Sequence, residues 1–382
     1  MTPNVDWDFA RTVAVKVAGR EPFAESYHQP SLESDMVELT AQAERLVEAE
    51  TGLVSLDGPA RARVTGREGW IDANIAGFER LARPLLDHLA SDSSSQPDEA
   101  ADGEDPSTRG GVLGVARSKM ASVIEPAGAK LAGAQLGAVL GWMSSKVLGQ
   151  YDLLIIEDER PEDQDWVYYV APNVLALEKR YGFPPREFRL WLAVHECTHR
   201  AQFTGVRWLR PYFLSLVNEL LETADPDPKR VMDVIGELVR KPEGEQRSAL
   251  GDGGLAGLLA TPEQKKTIDK LTGLMSLLEG HGDIIMTRAT GDLVPSSKRF
   301  ARVMSQRRTN ATGLSRIVRK LTGIDAKLAQ YEQGERFVRA VEAHGGSELF
   351  DQVWSGAENL PTINEIRSPD LWISRLGAPT GA

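Results

Sequence analysis

His195-Glu196-Cys197-Thr198-His199 decides how this chain is read. On an α-helix, positions i and i+4 lie on one face, so the two imidazoles can converge on a single metal ion. Glu196 follows the first histidine and can accept a proton from a water whose pKa the ion lowers toward neutrality. Spacing and residue type together predict a hydrolytic zinc site with its own general base. With six histidines in 382 residues, a chance match is rare; the bland alternative is two histidines and a glutamate that merely cross a helix surface.

The flanking sequence predicts that helix. Pro184-Pro185 opens a stretch, from Arg186 through Phe203, without a further Gly or Pro and about five turns long. Phe188, Trp191, Leu192 and His195 recur at helical spacing, which places the motif on an inward face. Cys197 is the single cysteine, so no intramolecular disulfide can form. Helical geometry turns it away from the two histidines, which favours a small packing residue over a nucleophile.

A tetrahedral zinc needs a third protein ligand and leaves one position to water. Leu277-Leu278-Glu279-Gly280-His281-Gly282-Asp283 offers it. Glu279 is the favoured ligand, with Asp283 at i+4 able to hold the other ring nitrogen of a ligand histidine. His281 is the rival, although two residues along a helix it points nearly the opposite way; Glu219 and Glu222 are further carboxylates. Gly280 and Gly282 would permit local unwinding that swings His281 inward. Leu274, Met275, Leu278, Ile284, Ile285 and Met286 predict a buried helix, where an unpaired carboxylate is costly. Thr261-Pro262-Glu263-Gln264 reads as its capped start, and it should end near Gly291.

The organisation follows from these anchors. Residues 1–90 form an N-terminal helical region with patterns at Asp6–Ala18, Ser31–Ala49 and Glu68–Ala90. Residues 91–110 are an acidic segment whose low-complexity run Ser91–Asp105 reads as a disordered loop. Residues 111–382 form the metal-binding domain, with a helical insertion over 205–260 that contains Trp208–Glu222 and Lys229–Arg240, split by Asp225-Pro226-Asp227-Pro228, then a joint at Gly251–Gly254. Gly133, Gly137 and Gly141 put a smooth stripe on one helix face against which another backbone can pack. Gln135, Ser144, Ser145 and Lys146 interrupt the run, which disfavours a membrane span. Leu153–Ile156 and Trp166–Val170 bracket the acidic turn Glu157–Asp163 as a β-hairpin, whose edge could receive an extended substrate or simply cover the core. The fold class is mainly α with a small β-hairpin or sheet.

His195-Glu196-Cys197-Thr198-His199-Arg200-Ala201-Gln202-Phe203, Glu279-Gly280-His281, Gly149-Gln150-Tyr151-Asp152 and Lys327–Gly334 together resemble the actinobacterial zincin-like metallopeptidase family. The resemblance runs from about Gly111 to Leu376. It implies a zincin-like fold, zinc at His195 and His199, Glu196 as base, and hydrolase activity. Some members of that family are associated with biosynthesis of a deazaflavin coenzyme, but nothing in this sequence resembles a flavin or dinucleotide fingerprint. Glu279 with Asp283 matches the Glu-x-x-x-Asp arrangement of gluzincin peptidases. Two features depart from the usual pattern: Arg200 where an uncharged residue is common, and a long insertion before Glu279.

Composition bounds the remaining classes. The chain is long enough, at 41% hydrophobic content, to bury a large core. Its N-terminus is acidic and lacks an apolar signal region, so a cytoplasmic location is expected. A net charge of −11 disfavours nucleic acid and anionic membrane as partners. The basic runs Arg302–Arg308 and Arg316–Lys320 read as solvated helix faces or an anionic-substrate pocket. Tyr331 is a possible oxyanion donor, against the plainer role of a packed tyrosine. The expected function is zinc-dependent hydrolysis of a peptide or small amide, with Glu196 taking a proton from the attacking water and returning it to the leaving amine. The alternatives are a scaffold that retains zinc structurally and a small-metabolite amidohydrolase. Oligomeric state is not legible.

Overall fold

The computed structural model describes residues 5–23, 26, 28–94, 113–153, 165–222, 261–309 and 324–376. Side chains are described throughout except in 83–94, 113–127, 221–222, 307–309 and 324–332. The expected helix Lys229–Arg240, the joint Gly251–Gly254, the basic run Arg316–Lys320 and most of the acidic segment lie outside the described residues. The fold is mainly helical with a three-stranded sheet. It divides into two compact units, each assembled from separated stretches of the chain.

The first unit comprises Met1–Ala24, Thr65–Val147 and Val170–Asn173. Its helices are α1 (Trp7–Ala18), α3 (Arg67–Ser94) and α4 (Leu113–Ser144). α3 runs through Ser94, so the first residues of the acidic run are helical and not loop. Asp6 caps α1 by accepting the Phe9 amide at 2.9 Å. The glycine stripe finds its partner here: a Cβ on Gly133, Gly137 or Gly141 would stand 2.4, 2.2 and 2.2 Å from the carbonyl oxygens of Asp6, Ala10 and Ala14. Two helices meet backbone to backbone because one offers glycines and the other alanines at the same four-residue period. Trp70, Ile71, Ile75 and Leu140 close the core around this seam.

The second unit comprises Glu25–Val64, Leu148–Tyr169 and Val174–Ala382. Its sheet has the order β1-β3-β2, from β1 (Arg61–Thr65), β2 (Gly149–Tyr151) and β3 (Trp166–Val170). β2 and β3 are antiparallel, with Gly149 opposite Tyr169 and Tyr151 opposite Val167. β2 precedes the apolar run Leu153–Ile156, of which residues 154–156 lie outside the described set.

Helices supply the rest: α2 (His28–Thr51), α5 (Ala171–Tyr181), α6 (Pro185–Gly205), α7 (Leu209–Glu222), α8 (Pro262–Thr290), α9 (Ser297–Thr309), α10 (Ile324–Phe350), α11 (Ile363–Arg367) and α12 (Pro369–Leu376). Thr261 and Gln264 form the expected capping box at the start of α8, and Gly291 terminates it. α8 crosses α10 at a glycine pair: a Cβ on Gly280 would lie 2.1 Å from the Gly334 carbonyl carbon, and one on Gly334 only 1.8 Å from the Ser276 oxygen. α8 stays helical through Gly280 and Gly282, so these glycines serve close approach rather than unwinding. Leu277, Ile284, Phe337, Val338, Val341 and Trp372 pack the seam.

α6 is buried on all sides and its charges are accordingly paired. Arg189 forms a two-pronged pair with Glu178 at 2.8 and 2.9 Å and reaches Asp35 at 2.7 Å. Arg200, 1% exposed, bonds Asp165 through Nη2 at 2.6 Å, Glu44 at 2.6 Å and the Gly58 carbonyl at 2.8 Å. The charge that departs from the usual pattern after the second histidine thus anchors the back of α6 to α2 and to the residue leading into β3.

Candidate metal centre

From Phe188 to Thr204 every residue of α6 is buried except His195 and His199. The two imidazoles are the open points of an otherwise enclosed helix. Glu279 of α8 faces them, and the three side chains retain 21, 15 and 18% exposure. His195 Nε2 lies 3.3 Å from His199 Nε2, and Glu279 Oε2 lies 3.4 Å from His199 Nε2 and 3.9 Å from His195 Nε2. Donors placed 2.0–2.2 Å from a tetrahedral zinc stand about 3.3–3.5 Å apart. The two separations at His199 match that span and the 3.9 Å between Glu279 and His195 exceeds it by about 0.4 Å, so the three atoms approximate three corners of a zinc tetrahedron; two imidazoles with one carboxylate are a donor set zinc accepts. Among the described residues, no fourth His, Cys, Asp or Glu joins the cluster.

Glu196 sits behind this triangle, 6% exposed. Its carboxylate accepts the backbone N–H of Tyr151 and lies flat against β2, where a Cβ on Gly149 would come within 2.7 Å of Oε1. A side chain at position 149 would displace it, so the close approach of Glu196 to β2 depends on glycine there. Burial pushes the Glu196 carboxyl up to about 7, against an opposing pull from His199 that the smaller Glu279 repulsion partly offsets. A carboxyl that titrates near neutrality can both take and return a proton. Burial alone would depress His199, but the Glu279 carboxylate outweighs it and raises the ring to about 9.

His281 is not part of the cluster. It is 4% exposed, stacked on Phe350 with centroids 5.3 Å apart and edge-on to Trp354, and burial lowers it to about 3. A continuous helix directs it away from the face of Glu279, so among the described residues it is Glu279 and not His281 that meets the two histidines. Glu219 is likewise engaged elsewhere, accepting the Thr267 hydroxyl at 2.6 Å. The Glu222 and Tyr331 side chains lie outside the described residues. Asp283 is half-buried one turn beyond Glu279. His199 Nδ1 lies 3.0 Å from the acceptor Oε1 of Gln202; the sequence holds Gln202 inside the motif run but gives no local signal of this contact.

Cys197 is buried on the far side of α6, its thiol directed at the Thr40 carbonyl and pushed up by burial. It borders a cavity of about 210 Å³ that Arg200, Glu44 and Pro59 also line, away from the histidine face. Such a thiol packs; it does not react.

No curated protein matches the chain significantly. A crystal structure from Chloroflexus aurantiacus, described as a candidate hydrolase with a novel fold, is similar over 98% of this chain and 99% of its own, at 28% identity and a TM-score of 0.65. The family model for zincin-like metallopeptidases matches residues 5–373. With the match spanning both units and the HExxH helix, the chain belongs to the zincin-like metallopeptidase family.

Proposed function

We propose that this protein is a zinc-dependent hydrolase of peptide or amide bonds. The observation that carries the proposal is the partly open triangle of His195, His199 and Glu279, with the buried Glu196 behind it. Three protein donors with an exposed side suit a catalytic zinc rather than a closed structural one, which tells against a scaffold role. A zinc ion held there would acidify a water and polarise a carbonyl oxygen.

The chain's own residues supply the remainder. His195 and His199 present Nε2 from one helical face, and Glu279 meets them from α8. Glu196 holds the proton removed from water and delivers it to the leaving nitrogen, its burial keeping the protonated form accessible near neutral pH. Asp283, at i+4 from Glu279, is a further candidate for orienting a ligand histidine. β2 ends the sheet order, but its Tyr151 amide is already bonded to Glu196, so the peptide or amide substrate class rests on the family match and not on strand addition at this edge. Among the described residues, no helix is long and apolar enough to cross a membrane.

The test is Glu196→Gln. Zinc-loaded wild type should cleave members of a mixed unstructured peptide pool, read by mass spectrometry, while the variant keeps its zinc and loses cleavage. Equal cleavage by both would exclude Glu196 as the base.

A further inference from the structure

We infer that Gln202 is a positioning residue of the metal centre: its buried amide bridges the two ligand-bearing helices and fixes the ring proton of His199 on Nδ1, leaving Nε2 for the metal. This rests on the zinc proposal above. Gln202 is fully buried, one turn beyond His199 on α6. Its Nε2 lies 3.1 Å from the Leu278 carbonyl and 2.9 Å from His281 Nδ1, and its Oε1 lies 3.0 Å from His199 Nδ1.

One main-chain carbonyl determines every proton in this chain of contacts. The Leu278 oxygen can only accept, so the NH2 end of the amide must face it. Oε1 is then the end that meets His199, and because that oxygen also only accepts, His199 Nδ1 carries a hydrogen. The second amide hydrogen points at His281 Nδ1, which must accept it, so the His281 proton is on Nε2. A flipped amide would set oxygen against oxygen at Leu278, which settles an orientation that electron density alone often leaves open.

The same contacts set the spacing of the site. Leu278 immediately precedes Glu279 and His281 follows two residues later, so one side chain of α6 grips α8 on both sides of its ligand. Phe350 and Trp354 lock the His281 ring and make it a fixed acceptor. His281 thereby acts through Gln202 and not on the metal.

Two readouts on the full-length protein test this: zinc affinity by competition with a chromophoric chelator, and proton placement by nitrogen NMR of the histidine rings. Gln202→Leu should weaken zinc about 10 to 100-fold and abolish the slowly exchanging Nδ1 proton of His199. Gln202→Glu should not rescue, because a carboxylate cannot donate to Leu278 or to His281. His281→Phe keeps the stacking but removes the acceptor, and should cost about tenfold or less. Zinc bound by Gln202→Leu as tightly as by wild type would overturn the inference. So would a ring proton on Nδ1 of His281 in the wild-type protein, a measurement that needs no variant to fold. If wild type itself held no zinc, the functional proposal would fail separately, while the spectrum of the His281 ring in the metal-free protein would still show whether its proton sits on Nε2 and so decide the orientation of the Gln202 amide.

Discussion

Arg200→Met removes a guanidinium that is 1% exposed and engaged by Asp165, Glu44 and the Gly58 carbonyl at 2.6 to 2.8 Å. Methionine roughly fills the stem but leaves Asp165, itself 5% exposed, as a buried carboxylate without its cation. Breaking one side of a buried pair costs about 3–5 kcal/mol, a third or more of the net stability of an ordinary domain. At a urea dependence of about 3 kcal/mol per molar, the midpoint should fall by about 1 to 2 M in tryptophan-monitored unfolding. Arg200→Lys keeps the charge but not the fork, and should fall between the two. Zinc affinity of the folded variant should stay within about threefold, because the guanidinium faces away from the histidine side of α6. A loss under about 1 kcal/mol, or a folded Arg200→Met that no longer binds zinc, would refute the reasoning.

Gly334→Ala places a methyl carbon 1.8 Å from the Ser276 oxygen, so α8 and α10 must separate; thermal unfolding should show a loss of at least about 1–3 kcal/mol. Zinc titration of the same variant should show weakened binding, since Glu279 lies one turn beyond Ser276. In the metal-free protein, Glu196 titrates near 7 against 4.5 when unfolded, so the native state holds an extra proton between those values and wild-type stability falls as pH rises through them. Glu196→Gln abolishes that slope: urea unfolding in chelator should show it equal to wild type near pH 4 and more stable by up to about 3 kcal/mol at pH 8. A constant difference across that range would contradict the burial of a charged Glu196.

Much of the site was legible because its signals are local. The i and i+4 histidines, the proline-bounded start of α6, the Thr261 cap and the Gly291 stop of α8 each depend on residues a few positions apart. The four-residue glycine stripe announced a close helix contact, although not that Asp6, Ala10 and Ala14 would meet it. What escaped depends on partners remote in sequence. β1 alternates Ala62 and Val64 with Arg61, Arg63 and Thr65 but is short and weakly apolar, and β2 is three residues long with Glu196 packed on its Gly149, a contact no local pattern announces. Gln202 becomes informative only once α8 lies beside it, and Arg200 only once Asp165 and Glu44 do. Helical geometry argued correctly that Glu279 and His281 point apart; the flanking glycines suggested a hinge and turned out to mark where backbones touch or pass close to the imidazoles.

The central claim is that His195, His199 and Glu279 form one zinc site to which His281 does not contribute a ligand. Metal analysis of purified full-length protein, wild type beside His195→Ala, His199→Ala, Glu279→Ala and His281→Ala, tests it most directly. The geometry predicts one zinc per chain in wild type, none in the first three variants, and zinc retained with reduced affinity in His281→Ala. Zinc held at full occupancy in Glu279→Ala and lost in His281→Ala would contradict it.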